Sequence, residues 1–283
     1  MRRSARLGLQ HRAWRDRVLA AWRLAGIGPG HTVLDLGCGP GFASLDLAGL
    51  VSPGGHVVAV DMSQRFLTSL KMMCRERGVA NIATHQADLD AGEFPDVMVD
   101  RVWCRWVLAF VKSPRGMMER LTAALRPGGV VVLHEYFDYS TWRATPPCVE
   151  LEEFVRAVMA SWRASGGEPD IALPVLGWLD QYRFELRSVR PIVDIVQPGH
   201  VKWAWLKTFI DVGRRSHLAS VYTVRSRSWR KDGHARGAGD RRGARSSILP
   251  LRGDWELTSG LRIWLRVGFW RAKPIVRPKP TAP

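Results

Sequence analysis

The chain has 283 residues, a mass of 31.8 kDa, 46% apolar and 24% charged residues, and a net charge of +16. That composition excludes a wholly disordered chain, a collagen and a coiled coil, and the length suits one large α/β domain or two small ones. The charge is segregated: residues 214–283 carry +13, residues 1–17 carry +5, and the body between them carries −2.

A basic tail points to a nucleic-acid partner much less strongly than a basic stripe across the body would. No run approaches ~18 consecutive apolar residues, so no membrane span is expected. The arginine-rich start lacks a following apolar segment and does not read as a signal peptide. Cys38, Cys74, Cys104 and Cys148 show no paired or metal-ligand spacing. They read as free thiols of a reducing cytoplasm, and no metal site is expected.

In chain order, residues 10–26 read as a helix with Trp14, Val18, Leu19 and Trp22 on one side, stopped by the glycines and proline of 26–30. Strand and helix signals then alternate. Strands are predicted at Thr32–Leu36, His56–Val60, Ile82–Gln86, Val99–Cys104, Val130–His134 and Phe184–Pro191. Helices are predicted at Phe42–Leu50, Arg65–Gly78 and Pro114–Leu125. Short apolar strands alternating with helices predict right-handed βαβ units, hence a doubly wound, mostly parallel sheet. After Tyr139 the rhythm changes to amphipathic helices at Cys148–Trp162, Leu173–Leu179 and Val201–Val212. They stand where an insertion covering a substrate would stand.

Arg, Gly, Ser and Ala dominate 225–247, without helical or strand period. Ile263–Trp270 has strand character, interrupted by Arg266 and preceded by Arg262. The organisation read from this is an N-terminal helical segment (1–30), a main domain (31–213, insertion at about 140–183) and a basic tail (214–283). The tail's residue usage matches a G+C-rich gene read out of frame, so a disordered or frame-shifted tail is expected.

The most informative stretch is Asp35-Leu36-Gly37-Cys38-Gly39-Pro40-Gly41, an apolar strand running into a glycine turn and a helix start. Glycines let the backbone turn sharply and approach a ligand closely, and the helix N-terminus presents free N–H groups. Phe42 occupies the place of the third glycine of a dinucleotide fingerprint, and no phosphate-loop lysine follows. Asp35 would repel a pyrophosphate and suits a cationic amino or sulfonium ligand.

Asp61 ends the second strand 20 residues after Gly41, placed to accept from ribose hydroxyls. Asp88 and Leu89 follow the third strand, and Cys104-Arg105-Trp106 end the fourth. Singly, each carboxylate is more often a cap or turn residue. In this order they have few bland explanations.

With these motifs the sequence resembles the class I S-adenosylmethionine-dependent methyltransferases, and more narrowly the ubiquinone/menaquinone-type small-molecule group. The resemblance covers residues 10–212 and is most specific over 32–136. It implies a Rossmann-like fold and S-adenosyl-L-methionine as cofactor. Gly37, Cys38, Gly39 and Gly41 would line the methionine end and Asp35 would help hold its amino group. Asp61 would take the ribose hydroxyls with Met62 beside the adenine. Asp88 and Leu89 would meet the adenine edge, and Cys104 and Arg105 would touch the methionine portion through backbone.

The family's sheet closes with an antiparallel hairpin of its sixth and seventh strands. Here an irregular or missing seventh strand is expected. Weak candidates for a general base are His134, Glu135 and Tyr136, with alternation putting Glu135 on the opposite face from the other two. Trp103, Trp106, Trp142 and Trp162 are candidates to line a small organic acceptor's pocket. The segment after the fourth strand lacks the Asp/Asn-Pro-Pro-aromatic pattern of nucleic-acid amino methyltransferases. An RNA methyltransferase using its basic ends and a non-catalytic cofactor-binding relative stay open as alternatives. The sequence does not name the acceptor, the acceptor atom or the oligomeric state.

Overall fold

The computed structural model describes residues 3–216 and 262–269. Helix α1 (Arg3–Leu24) is followed by β1 (Thr32–Leu36), α2 (Phe42–Val51), β2 (His56–Asp61), α3 (Gln64–Arg77), β3 (Ile82–Gln86) and β4 (Val99–Arg105). Then come α4 (Pro114–Ala124), β5 (Leu125–Tyr136), a short 3-10 turn (Tyr139–Thr141) and β6 (Arg143–Thr145). The order ends with α5 (Val149–Ala164), α6 (Ala172–Trp178), β7 (Ile192–Val196), α7 (Val201–Ser216) and β8 (Arg262–Phe269).

Five parallel strands run in the order β3-β2-β1-β4-β5. The reversal of order beside β1 opens a crevice at the carboxyl ends of the strands, where open α/β sheets bind their ligands. Near-continuous apolar runs such as Val57–Val60, all buried, are what a strand covered on both faces requires. Ser63 caps α3 by accepting from Phe66 N–H, and Gly78 ends that helix in the left-handed region. Ser113 caps α4, with Pro114 in its first turn.

Two strand expectations need correction. Phe184–Pro191 forms no strand; the ladder begins at Ile192. A turn ending at Arg183, with φ +57°, sends Phe184 into the core, and Pro191 has no N–H to give a ladder. Nor is the closing strand missing. β8 lies antiparallel between β5 and β6 on one edge and β7 on the other, with Glu135 opposite Gly268 and Asp194 opposite Leu265. The sheet is therefore α/β, Rossmann-like and closed by an antiparallel strand drawn from the basic tail. The 225–247 stretch, on which the frame-shift expectation mainly rests, lies outside the described residues.

One apolar core holds the fold. Trp14, Val18 and Trp22 of α1 are fully buried in it with Leu34, Trp103, Met117 and Leu206. The Trp22 ring meets Trp103 edge-on at 5.3 Å. Each large ring buried this way brings about 150–250 Å² out of water. The N-terminal helix is thereby integral to the sheet's packing, and it forms one wall above the ends of β4 and β5. Among the described residues no helix is long and apolar enough to cross a membrane.

Candidate functional site

The turn between β1 and α2 has three glycines with positive φ: Gly37 (+67°), Gly39 (+56°) and Gly41 (+87°). A Cβ at Gly37 would lie 2.3 Å from Val107 Cγ2, and one at Gly41 would lie 2.3 Å from Leu70 Cδ1. Gly39 faces open space. Only glycine permits both the dihedrals and this approach of the turn to its neighbours. Gly41 stands at the N-cap of α2 and offers no side-chain cap, so the first-turn N–H groups remain for a ligand.

Asp61 at the end of β2 is tied to this turn. Gly39 N–H donates to its Oδ2 and Ser63 N–H to its Oδ1, each at 2.8 Å. A carboxylate has about four acceptor sites, so both oxygens keep capacity for a further donor. Met62 beside it is 66% exposed. Asp88 Oδ1 accepts from Asp90 N–H at 2.9 Å, folding the β3–β4 connection into a tight turn. Leu89 is half-buried in the same turn. Cys38 N–H donates to Val60 O, and its Sγ lies 3.4 Å from Gly39 O. These residues form one rim along the ends of β1, β2 and β3.

Asp35 is 2% exposed and accepts from Ser44 Oγ at 2.6 Å. Burial pushes its carboxyl up to about 6, against the opposing pull of the Ser44 hydrogen bond and Arg105. Arg105 closes β4 on the same sheet face. Its guanidinium carbon lies 5.3 Å from the Trp106 ring centre and 6.0 Å from that of Trp103. The burial of Arg105 draws its guanidinium down to about 10.

The sequence expectation used only the backbone of Cys104 and Arg105. Cys104 does remain in the core, but Arg105 brings a charge to the crevice. Ser44, the partner of Asp35, carried no sequence signal, because a serine inside a helix ordinarily reads as surface.

The three candidate bases take different places. His134 is fully buried, edge-on to Trp14 at 5.8 Å and to Trp103 at 5.9 Å. Burial, then the Arg105 charge, hold its imidazole well below its ordinary value, hence neutral. Tyr136 is 7% exposed and stacks on Trp106 at 5.4 Å with 7° between the planes. Burial raises its phenol.

Glu135 points to the opposite face, as alternation requires. Its Oε1 accepts from Val107 N–H at 2.8 Å and Leu108 N–H at 3.0 Å. This carboxylate pins the loop after β4, and that loop carries Val107 against Gly37. Trp106 opens the loop at φ +53°, a strained dihedral for a large residue, with its N–H on His134 O at 3.0 Å.

Burial pushes Glu135 up to about 7, overriding the loop N–H bonds that favour its charged form. Its ordinary value is 4.5, so between those limits the folded chain holds a proton that the unfolded chain has released. Stability is then expected to fall as pH rises from about 4.5 to 7, by about 3 kcal/mol from this group. Urea denaturation at pH 5 and pH 8 checks this. Glu135→Gln should flatten the dependence above pH 6, leaving Asp35 to act lower down; an unchanged profile would remove Glu135 as its source.

Aromatic side chains pack together around the loop after β4, which seats Val107 against Gly37. Trp106 is sandwiched between Tyr136 and Trp205 of α7, the latter at 6.1 Å. Trp162 of α5 meets Phe110 at 4.6 Å and Tyr136 at 5.4 Å. Of the four candidate pocket tryptophans, Trp103 and Trp142 are buried at 1% and 3% exposure, whereas Trp106 and Trp162 are half-buried. Among the described residues no three His, Cys, Asp or Glu gather into a metal-binding group.

Residues 33–129 match a family described as a methyltransferase domain. The chain is 31% identical over 127 residues to the ubiquinone/menaquinone biosynthesis C-methyltransferase UbiE of Ectopseudomonas mendocina, a match covering 44% of this chain and 48% of that one. The chain thus spans about half the length of the curated relative it matches. Among solved structures, the YcgJ protein of Bacillus subtilis is similar at a TM-score of 0.58 and 17% identity, over 92% of this chain and 99% of that chain. The 4+2 cyclase SpnF is similar at a TM-score of 0.53 and 14% identity, over 92% and 81% of the two chains. These two likenesses concern the fold alone.

Residues 33–129 are thus similar to a methyltransferase domain, in line with the class I resemblance read from the sequence. S-adenosyl-L-methionine is the cofactor which that resemblance implies. The residues here fit it: a glycine cradle with one face open, an acidic rim at Asp61 and Asp88, and no phosphate-binding lysine in the turn.

Proposed function

We propose that the chain is a methyltransferase that moves the methyl group of S-adenosylmethionine to a small organic acceptor in the cytoplasm. The observation that carries the reading is the meeting of two surfaces at the ends of β1 and β4. One is the glycine turn with Asp61; the other is the wall of Trp106, Phe110, Tyr136 and Trp162. An apolar, mainly aromatic cluster with few polar groups beside the turn suits a small, flat, apolar acceptor better than a nucleic acid. The named role of UbiE in quinone biosynthesis supports the same acceptor class.

When bound, the cofactor supplies an activated methyl group, and the transfer is an in-line displacement. The chain's contribution is alignment and exclusion of water. Asp61, braced by Gly39 and Ser63 N–H, would hold the ribose. Asp88 and Leu89 would border the adenine side, with Met62 beside it. The 140–183 insertion closes the acceptor side by placing Trp162 against Phe110 and Tyr136. His134 and Glu135 are committed to core and loop, and no general base is assigned.

The test is incubation with methyl-labelled cofactor and a metabolite extract, with total RNA in a parallel reaction. The reading expects label in a small molecule. Label in RNA would replace it with an RNA methyltransferase, and binding without transfer to any acceptor would favour a non-catalytic relative. Trp162→Ala should lower acceptor use at least about tenfold while cofactor affinity changes less than about twofold, since ring contacts and burial at one wall are worth 1–3 kcal/mol. Calorimetry with S-adenosylhomocysteine beside steady-state rates separates the two; equal losses would assign Trp162 to core packing alone.

A further inference from the structure

A cleft of about 420 Å³ lies away from the glycine turn, between α1 and the chain leading into β7, with Val132 of β5 at its floor. Val132 stands four residues before Tyr136, the last residue of β5. At ~3.3 Å per residue the floor is about 13 Å below the carboxyl end of that strand. The cleft is therefore separate from the crevice at the strand ends. Its volume falls in the range of small-molecule sites, about 300–1,000 Å³.

One wall is the face of α1 that runs from Arg17 past Ala21 and Leu24 to Ala25. At 1.5 Å per residue this wall is about 12 Å long, the reach of a chain of about ten carbons. The other wall runs from Ser188 to Val193, and there Val189 and Val193 are 42% and 40% exposed. Each wall carries one arginine, Arg17 and Arg190, and none of the described residues lining the cleft is acidic.

Arg190 is exposed and has no hydrogen bond or ion pair among the described residues. Arg17 makes one long contact, its Nη2 3.4 Å from Asp194 Oδ1, and Asp194 is also held by Lys202 Nζ. A guanidinium has five N–H donors, so both arginines keep most of theirs. An apolar cleft with unanswered positive charge on both walls complements an apolar body that bears a negative group. Residues 270–283, which follow β8, carry four basic and no acidic residues. They match the cleft in sign and do not complement it.

We propose that this cleft binds a small amphipathic carboxylate. The apolar body rests on Ala21, Leu24 and Val132; the carboxylate meets Arg190, with Arg17 adding its charge from the facing wall. Apolar burial supplies the attraction, and the guanidinium groups select the anion over a neutral compound of the same shape.

The probe is decanoate, titrated into the full chain by calorimetry beside decan-1-ol, which has the same chain and no charge. Decanoate should saturate a single site and bind about tenfold tighter than the alcohol, the margin that one charge-assisted contact supplies. Raising the ionic strength should shrink that margin. Arg190→Gln, a change at an exposed side chain, should lower decanoate affinity about fivefold and leave decan-1-ol within about twofold. Ala21→Leu fills part of the cleft and should weaken both compounds about tenfold. Trp162→Ala, in the aromatic wall of the crevice, should leave decanoate affinity within about twofold. Thermal denaturation of each variant checks that it is folded.

Equal affinity for the acid and the alcohol, or an Arg190→Gln chain that keeps the full preference, would overturn the proposal. So would loss of decanoate binding in Trp162→Ala, which would move the acid to the crevice. A wild-type chain that binds decanoate no better than Ala21→Leu does would show the cleft already filled, by residues 270–283 or by a second copy, and would overturn it as well.

Discussion

Asp61→Ala is expected to weaken S-adenosylmethionine binding by about 100-fold. Two contributions add. The carboxylate offers charge-assisted hydrogen bonds to paired hydroxyls, on the order of 2–3 kcal/mol together. It also anchors Gly39 and Ser63 N–H, each at 2.8 Å, so its loss frees the turn that must cradle the ligand. Asp61→Asn separates the two: one oxygen survives to accept, and the loss should shrink to about tenfold. Titration calorimetry measures both. Unchanged affinity in the alanine variant would detach Asp61 from the cofactor altogether.

Glu135→Ala should be the most destabilising of the single changes considered, at about 3–5 kcal/mol. Its carboxylate is the acceptor for two amides, Val107 N–H and Leu108 N–H, and it is 1% exposed. Removing it strands both donors in the interior, at about 1–3 kcal/mol each, and leaves a cavity. Glu135→Gln keeps one acceptor and should cost less than half as much. The same loop seats Val107 against Gly37, so cofactor affinity should fall in the alanine variant even where it remains folded. Urea denaturation of wild type and both variants gives the ranking; equal stability of all three would mean that the loop finds other acceptors.

The parallel half of the sheet was legible because its signals are local. Short, mostly apolar runs give β1 and β2, and the β-branched start of Ile82–Gln86 gives β3, with bounds the structure matches to within a residue. The helices after β1, β2 and β4 were equally legible, and in the structure Ser63 and Gly78 cap α3 and Ser113 caps α4. The antiparallel half was not. β7 carries Asp194 in its middle, paired with Lys202 and Arg17, which breaks its apolar run. β8 owes its existence to backbone ladders with β5, β6 and β7, the first more than 120 residues earlier in the chain. Ile263–Trp270 does show strand character in the sequence, but Arg262 and Arg266 interrupt the pattern, and nothing local gives its partners in the sheet.

At the site, the glycines and carboxylates were readable because ligand chemistry restricts residue type at fixed spacing. The partnerships were not. That Glu135 serves a loop, that Ser44 holds Asp35 and that Arg105 turns its side chain to the crevice all depend on which elements meet in space. Alternation did place Glu135 apart from His134 and Tyr136, but its distance from the crevice needed the fold.

The central claim is that the crevice above Gly37–Gly41 takes S-adenosylmethionine. One titration tests it most directly: S-adenosylhomocysteine into the purified chain by calorimetry, repeated in excess NAD and in excess ATP. The account predicts one site per chain, micromolar or tighter, undisturbed by either nucleotide and lost on Asp61→Ala. Displacement of S-adenosylhomocysteine by NAD or ATP, or an absence of heat and of thermal stabilisation with it, would contradict the account.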